Sequence, residues 1–247
     1  PSDEAFHLSA GPERVVLIGR GYIGIEFAGI FAGLGSKVDM AYRQDLPLRG
    51  FDEDMRAAMK DAIAARGITQ HCHTSPTQIA KTASGYAVTF DNGLTLDADC
   101  VFMATGRRPK VDSLGLDAAG VTTAKGGRIT VNDQQETSQP NIYAIGDVTD
   151  RINLTPVAIA EGHHLADSLY GKEPPRTWSL STTPKAVFFS PPMASVGLSE
   201  EEAAQNGVLD IYFTRFTPMR HTLSGRKDRK TVMKLVVDQA SQKGGGL

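Results

Sequence analysis

A short apolar run, Val15-Val16-Leu17-Ile18, leads directly into Gly19-x-Gly21-x-x-Gly24. The run has the character of a strand buried on both faces. Ile23, Phe27, Ile30, Phe31 and Leu34 then recur at helical spacing, and Gly35 stands where a helix should stop. A second strand is expected over 38–42. Strand, glycine turn, helix, strand is the setting in which this glycine pattern predicts a dinucleotide site. Gly19 permits the tight turn, Gly21 lets the backbone approach a pyrophosphate, and Gly24 lets helix and strand pack closely. The helix N-terminus offers unpaired N–H groups to phosphate.

The end of the second strand separates the two nicotinamide nucleotides. An NAD site wants a carboxylate there, about 20 residues past the glycines, to accept from the ribose hydroxyls. Here the strand runs out at Ala41-Tyr42-Arg43 with Arg49 on the same connection, and Asp39 lies too early in the strand. Guanidinium groups cannot accept those hydrogen bonds, but two can grip a 2′-phosphate through forked, charge-assisted donors. The nucleotide expected is NADPH.

The 247 residues suffice for one large or two modest domains, with 40% hydrophobic and 22% charged residues. A net charge of −2 gives no electrostatic case for nucleic acid or an acidic membrane, and no apolar run is of membrane-spanning length. Cys72 and Cys100 are the only cysteines and lie far apart, which excludes a disulfide scaffold and a Cys-x-x-Cys pair. The chain reads as cytoplasmic and, opening on Pro1, as incomplete.

Further along, Asp52 is expected to cap a helix carrying Met55, Met59 and Ile63 and closing at Arg66-Gly67. A strand over 68–73 would put His71 and His73 on one face with Cys72 on the other. Two such ligands are too few for a structural metal, so a solvated face is expected and no metal. Residues 86–90 and 94–96 flank Asp91-Asn92-Gly93, a hairpin signal within a small antiparallel meander. A buried strand over 100–104 ends at Gly106, where backbone could lie against a nucleotide. Strands are also expected over 128–131 and 142–145. The second runs into Gly146-Asp147, placing a carboxylate beyond a strand end. Thr155 is expected as N-cap and Pro156 as N1 of a helix reaching about 170. A polar, proline-bearing connection follows over 172–184. Strands over 186–189, 210–216 and 231–237 and a Ser199 capping box come after it. The basic run 226–230 reads as a solvated hairpin tip, and Gly244-Gly245-Gly246-Leu247 shows no cap, strand or core pattern.

These stretches together resemble the flavin- and NADPH-dependent pyridine nucleotide-disulfide reductases. Gly21-Tyr22-Ile23-Gly24-Ile25-Glu26-Phe27-Ala28 is similar to that family's NADPH-site helix. The resemblance implies that Tyr22 shields the flavin and Glu26 pairs near it, with Ile23 in the same cofactor-contacting turn. It assigns Arg43 and Arg49 to the 2′-phosphate and makes Gly106 part of the exit from the NADPH domain. It likewise implies FAD binding by Asp147, Leu154 and Thr155. The run from 216 to 226 is most similar to members that reduce glutathione disulfide rather than to lipoamide- or mercury-directed ones.

The implied fold class is α/β: an NADPH-binding domain with a meander (1–108), a second segment of an FAD-binding domain (109–180) and a partial dimer-interface domain (181–247). The implied partners are glutathione disulfide and a second copy of the chain. The family's redox disulfide and acid–base histidine have no counterpart among these residues, so no catalytic residue is assigned and the segment alone is expected to be inactive. His163 stands where many relatives carry a glutathione-contacting Arg. A stand-alone NADP-binding module is the alternative of a different class; the apolar pattern over 142–170 argues against it.

Overall fold

The computed structural model describes residues 2–172, 179–225 and 229–247. The chain forms two compact units, Pro1–Gly106 with Pro184–Leu247, and Arg107–Thr183.

In the first unit, β1 (Arg14–Ile18), α1 (Tyr22–Gly33), β2 (Lys37–Ala41), α2 (Glu53–Ala65) and β3 (Thr69–His71) follow in order. After them come β4 (Pro76–Thr82), β5 (Gly85–Phe90), β6 (Thr95–Ala98) and β7 (Cys100–Met103). The parallel sheet has the order β3-β2-β1-β7 and the antiparallel meander the order β4-β5-β6. β1 is apolar from Val15 to Ile18, where both of its faces are covered. Val15 and Leu17 join Ile25, Ala28, Phe31, Met59 and Ile63 of the two helices. Val16 and Ile18 join Val88, Phe90 and Ala98 of the meander. Burial of this kind contributes about 1.5–3 kcal/mol per large aliphatic side chain. Phe27 stacks on Phe102 with centroids 4.7 Å apart and takes Phe6 edge-on at 5.8 Å.

After the second unit, whose helix α3 spans Thr155–Tyr170, the chain returns as β8 (Lys185–Val187), β9 (Met193–Ser195), α4 (Glu200–Ala203), β10 (Leu209–Phe216), α5 (Met219–Leu223), β11 (Thr231–Asp238) and β12 (Lys243–Gly246). Val187, Phe189 and Met193 complete the same core as α1. Gly29, in the middle of α1, allows this: a Cβ there would lie 2.8 Å from Phe189 Cδ2. The sheet β10-β11-β12 is antiparallel, and β10 exposes Tyr212 and Phe213. The molecule is mixed α/β, with one parallel sheet and separate antiparallel ones.

The glycine-rich end, expected to be patternless, is a strand. β12 pairs with β11, and Gly246 bridges Gly197. A Cβ on Gly246 would collide with the Leu198 carbonyl oxygen, so glycine is what permits this approach. β3 also ends earlier than expected, at His71; His73 lies beyond it in a left-handed turn at φ 53°. The two histidines therefore do not share a strand face. His71 is bonded to Asp39 at 2.8 Å and His73 to Asp45 at 2.5 Å.

In the second unit, Val111, Val121, Ile129 and Ala144 form a small core with Leu116, Val131 and Val148. Residues 128–131 and 142–145 are extended but make only isolated bridges, Thr123 to Ile129 and Glu136 to Tyr143. Each has a short neighbour, Ala144 N–H donating to Gln135 O and Thr137 N–H to Ile142 O, and Ala124 N–H donating to Arg128 O, but the pairing stops at a single bridge. α3 begins one residue before its expected first turn. Leu154, at φ −134° and ψ 133°, is the N-cap, and Thr155 is already helical with no side-chain cap bond. Part of the basic run (226–228) and residues 173–178 of the 172–184 connection lie outside the described residues.

Candidate nucleotide-binding site

The glycine turn has three different environments. Gly19 sits at φ 136°, and a Cβ there would run into the Ala104 carbonyl. Both flanks are tied: Gly19 N–H donates to Ala41 O at 3.0 Å, and Ala104 N–H to Ile18 O at 2.7 Å. Gly24 packs against the strand, its Cβ position 3.1 Å from Leu17 Cδ2. Gly21, the N-cap of α1, has nothing within 4 Å of its Cβ position. The open space beside Gly21 lies at a helix N-terminus, where unpaired N–H groups favour an anion.

The connection after β2 is folded back onto this turn. Leu48 N–H donates to Arg20 O at 2.8 Å, and the Leu48 side chain is buried in the core at φ 55°. A non-glycine residue held there costs on the order of 1–3 kcal/mol, so its surroundings over-determine it. Arg20 Nη1 donates to Leu46 O at 2.9 Å; Arg56 Nη2 reaches the same oxygen at 3.2 Å, and its Nε donates to Pro47 O at 2.7 Å. His73 holds Asp45 of the same connection. Arg43 and Arg49 are exposed on it. The Arg20 guanidinium is pushed below its ordinary range by burial first, then by Arg56, Arg49 and Arg43. Among the described residues no carboxylate is bonded to Arg43 or Arg49, and Asp39 is engaged by His71. Sequence reasoning named Arg43 and Arg49 and did not name Arg20, Arg56 or Leu48. Only the arginine inside the glycine pattern offered a signal.

Below the connection, Tyr42 is buried; its hydroxyl donates to Gln70 Oε1 at 2.9 Å and accepts from Cys72 Sγ at 3.4 Å. Burial first, and then the contact with Cys72, raises the phenol above its ordinary range. Cys72 and Cys100 are free thiols. No group of three or more potential metal ligands occurs among the described residues. Tyr22 opens α1 and is partly exposed, with Ile23 half-buried behind it. Glu26 Oε1 accepts from Phe188 N–H at 2.8 Å, which orients the carboxylate. Gly106 is exposed at φ 145° with open space around it.

In the second unit Gly146 takes φ 69° and its N–H donates to Glu161 Oε2 at 2.6 Å. Glu161 is 1% exposed and also accepts from Arg151 Nη2 at 2.6 Å, while Arg151 bonds Gln135. This buried network holds the turn that leaves Asp147 exposed, and Thr155 is exposed at the start of α3. Glu161→Gln turns one acceptor into a donor facing another donor. It is expected to lower stability by about 2 kcal/mol. Thermal unfolding of the variant checks this, and an unchanged transition would refute the network's structural role.

The chain belongs to the pyridine nucleotide-disulphide oxidoreductase family: that family's model matches residues 1–162, and the family's dimerisation domain matches 183–246. Glutathione reductase of Nostoc sp. is 43% identical, over 98% of this chain and 56% of that protein. Trypanothione reductase of Trypanosoma congolense is also 43% identical, over 96% of this chain and 49% of that protein. The chloroplastic/mitochondrial glutathione reductase of Pisum sativum is 45% identical, over 96% and 43%. The chain thus spans about half the length of the curated relatives it matches. Among solved structures, the HOCl-induced flavoprotein disulfide reductase RclA from Escherichia coli superposes with a TM-score of 0.89 at 27% identity, covering 98% of this chain and 55% of that one. No helix among the described residues is long and apolar enough to cross a membrane.

Proposed function

We propose that this chain supplies the NADPH site, part of the FAD site and part of the subunit interface of a cytoplasmic, homodimeric glutathione-disulfide reductase. The observation that carries the reading is the cluster of arginines where an NAD site would place a carboxylate. Family membership and the glutathione reductase relatives support the wider assignment. Gly21 would admit the pyrophosphate, and Arg43 and Arg49 would grip the 2′-phosphate. Tyr22, Ile23, Glu26 and Gly106 would contact nicotinamide or flavin. Asp147, Leu154 and Thr155 would hold FAD through a carboxylate and a helix N-terminus. When bound, the nicotinamide and flavin would supply the hydride and electron-transfer chemistry. The protein's part is to orient and shield them. Domain limits of 1–108, 109–180 and 181–247 belong to the same proposal.

Arg43→Glu in the intact protein tests the carrying observation. NADPH affinity is expected to fall about 10- to 100-fold, the loss of one or two charge-assisted hydrogen bonds, with NADH spared. Equal loss of both nucleotides in direct binding titrations would overturn the NADPH assignment. Turnover on glutathione disulfide against trypanothione disulfide and lipoamide tests the substrate; preference for either of the latter would overturn it.

A further inference from the structure

We propose that Arg20, inside the glycine turn, is a third specificity-determining arginine for the 2′-phosphate, and that Arg56 positions the connection carrying the other two. This rests on the NADPH reading above. Of the residues at the turn, Gly19 and Gly24 are closed to any larger side chain, and Gly21 has none. Arg20 is therefore the turn's one means of placing a charged group within electrostatic reach of Arg43 and Arg49. Its Nη1 bond to Leu46 O and its carbonyl's bond from Leu48 N–H fix both ends of the residue against the connection. Arg56 anchors the same carbonyl and the next one, at Leu46 and Pro47.

Bringing these guanidinium groups together costs free energy through mutual repulsion and partial desolvation. The effect is visible at Arg20 itself, whose pKa is lowered by burial and by Arg56, Arg49 and Arg43. A purely structural role would need only a neutral donor to Leu46 O. Like charges assembled around an open helix N-terminus instead raise affinity for a dianion, because binding it relieves the repulsion. One Arg20 N–H group is committed to Leu46 O and the guanidinium has four others, so it can hold the loop and face an anion together.

The test is titration of the intact protein with 2′,5′-ADP and with 5′-AMP, which report the 2′-phosphate without turnover. Arg20→Gln keeps a donor for Leu46 O and removes the charge. It is expected to weaken 2′,5′-ADP at least tenfold while 5′-AMP changes less than threefold. Arg20→Lys, which keeps the charge, is expected to retain at least a third of the wild-type preference. Unchanged binding of both ligands by Arg20→Gln, or equal weakening of both, would overturn the proposal, the second outcome assigning Arg20 to the scaffold alone. If Arg20→Gln fails to fold, Arg20→Lys decides: loss of the whole preference in a folded Arg20→Lys overturns it. Wild-type protein that binds the two ligands equally would instead overturn the NADPH reading. Loss of preference in Arg43→Glu with no change in Arg20→Gln would leave that reading standing and remove Arg20 from it.

Discussion

Replacing Lys234 by Met is expected to lower the unfolding free energy by about 3 kcal/mol, at the low end for breaking a buried ion pair. For a chain of this size that is a fall of roughly 6–12 °C in Tm. Lys234 lies on β11 with its side chain 4% exposed, and its ammonium reaches three carboxylates: Asp52 at 2.9 Å, Asp54 at 2.7 Å and Glu200 at 2.6 Å. Asp52 caps α2, accepting from Asp54 N–H and Met55 N–H, and its other oxygen accepts from Glu200 N–H at the start of α4. Glu201 reciprocates by accepting from Glu53 N–H at 3.3 Å. Two helix N-termini thus share their acids, and one lysine bridges the three carboxylates. Met has the volume to fill the space but leaves the carboxylates facing one another.

The pH dependence gives a second reading of the same cluster. Burial alone would raise the Asp52 carboxyl, but the hydrogen bonds from Lys234 and from Glu200 N–H outweigh it and hold the group below its ordinary range. A folded-state pKa below the unfolded value of about 3.9 means stability that is present above that pH and lost as pH falls through the folded value. Without Lys234 the crowded carboxylates are expected to titrate upwards instead, so protonation then favours the folded form. The gap in stability between wild type and Lys234→Met should therefore narrow from pH 7 to pH 4. A gap below about 1 kcal/mol at pH 7, or one constant with pH in urea titrations, would show that the lysine is not holding these elements together.

How far the sequence foretold this structure depended on whether an element's cause lies in local side chains. The β1–turn–α1–β2 unit was legible because Val15 to Ile18 and Ile23 to Phe31 carry their periods openly. Asp52 and Ser199 were legible as caps because their oxygens accept from N–H groups two or three residues on. The hairpin at Asp91-Asn92-Gly93 was legible for a similar reason. β12 was not, because a run of glycines pairs with β11 through backbone alone and carries no side-chain period to read. Arg20 and Arg56 were missed because their partners are the carbonyls of Leu46 and Pro47, which any residue could supply. Lys234 finds Asp54 across 180 positions, a pairing no local window contains. The stretch 142–145 misled because an apolar run predicts burial but not the length of its partner, and here the pairing with 135–137 is a single bridge.

Gly19 and Gly21 look equivalent in the sequence pattern, yet their replacement by Ala is expected to fail in opposite ways. Gly19→Ala should cost about 3 kcal/mol or more of stability. Its φ of 136° is accessible essentially to glycine alone, and the new Cβ would meet the Ala104 carbonyl. Relaxation is blocked on both sides, since Gly19 N–H is held by Ala41 O and Ala104 N–H by Ile18 O. Gly21→Ala should leave stability within about 1 kcal/mol. Its φ of −76° and ψ of 171° suit any residue, the Cβ would enter open space, and the weaker N-cap is offset by a less flexible unfolded chain. That open space is where the proposed pyrophosphate would approach the backbone, so Gly21→Ala should weaken NADPH at least tenfold in a protein of normal Tm. A stable Gly19→Ala would contradict the close approach of β1 and β7 at this turn. A stable Gly21→Ala that binds NADPH as wild type does would place the nucleotide elsewhere, and the arginines of the neighbouring connection would then need a different ligand.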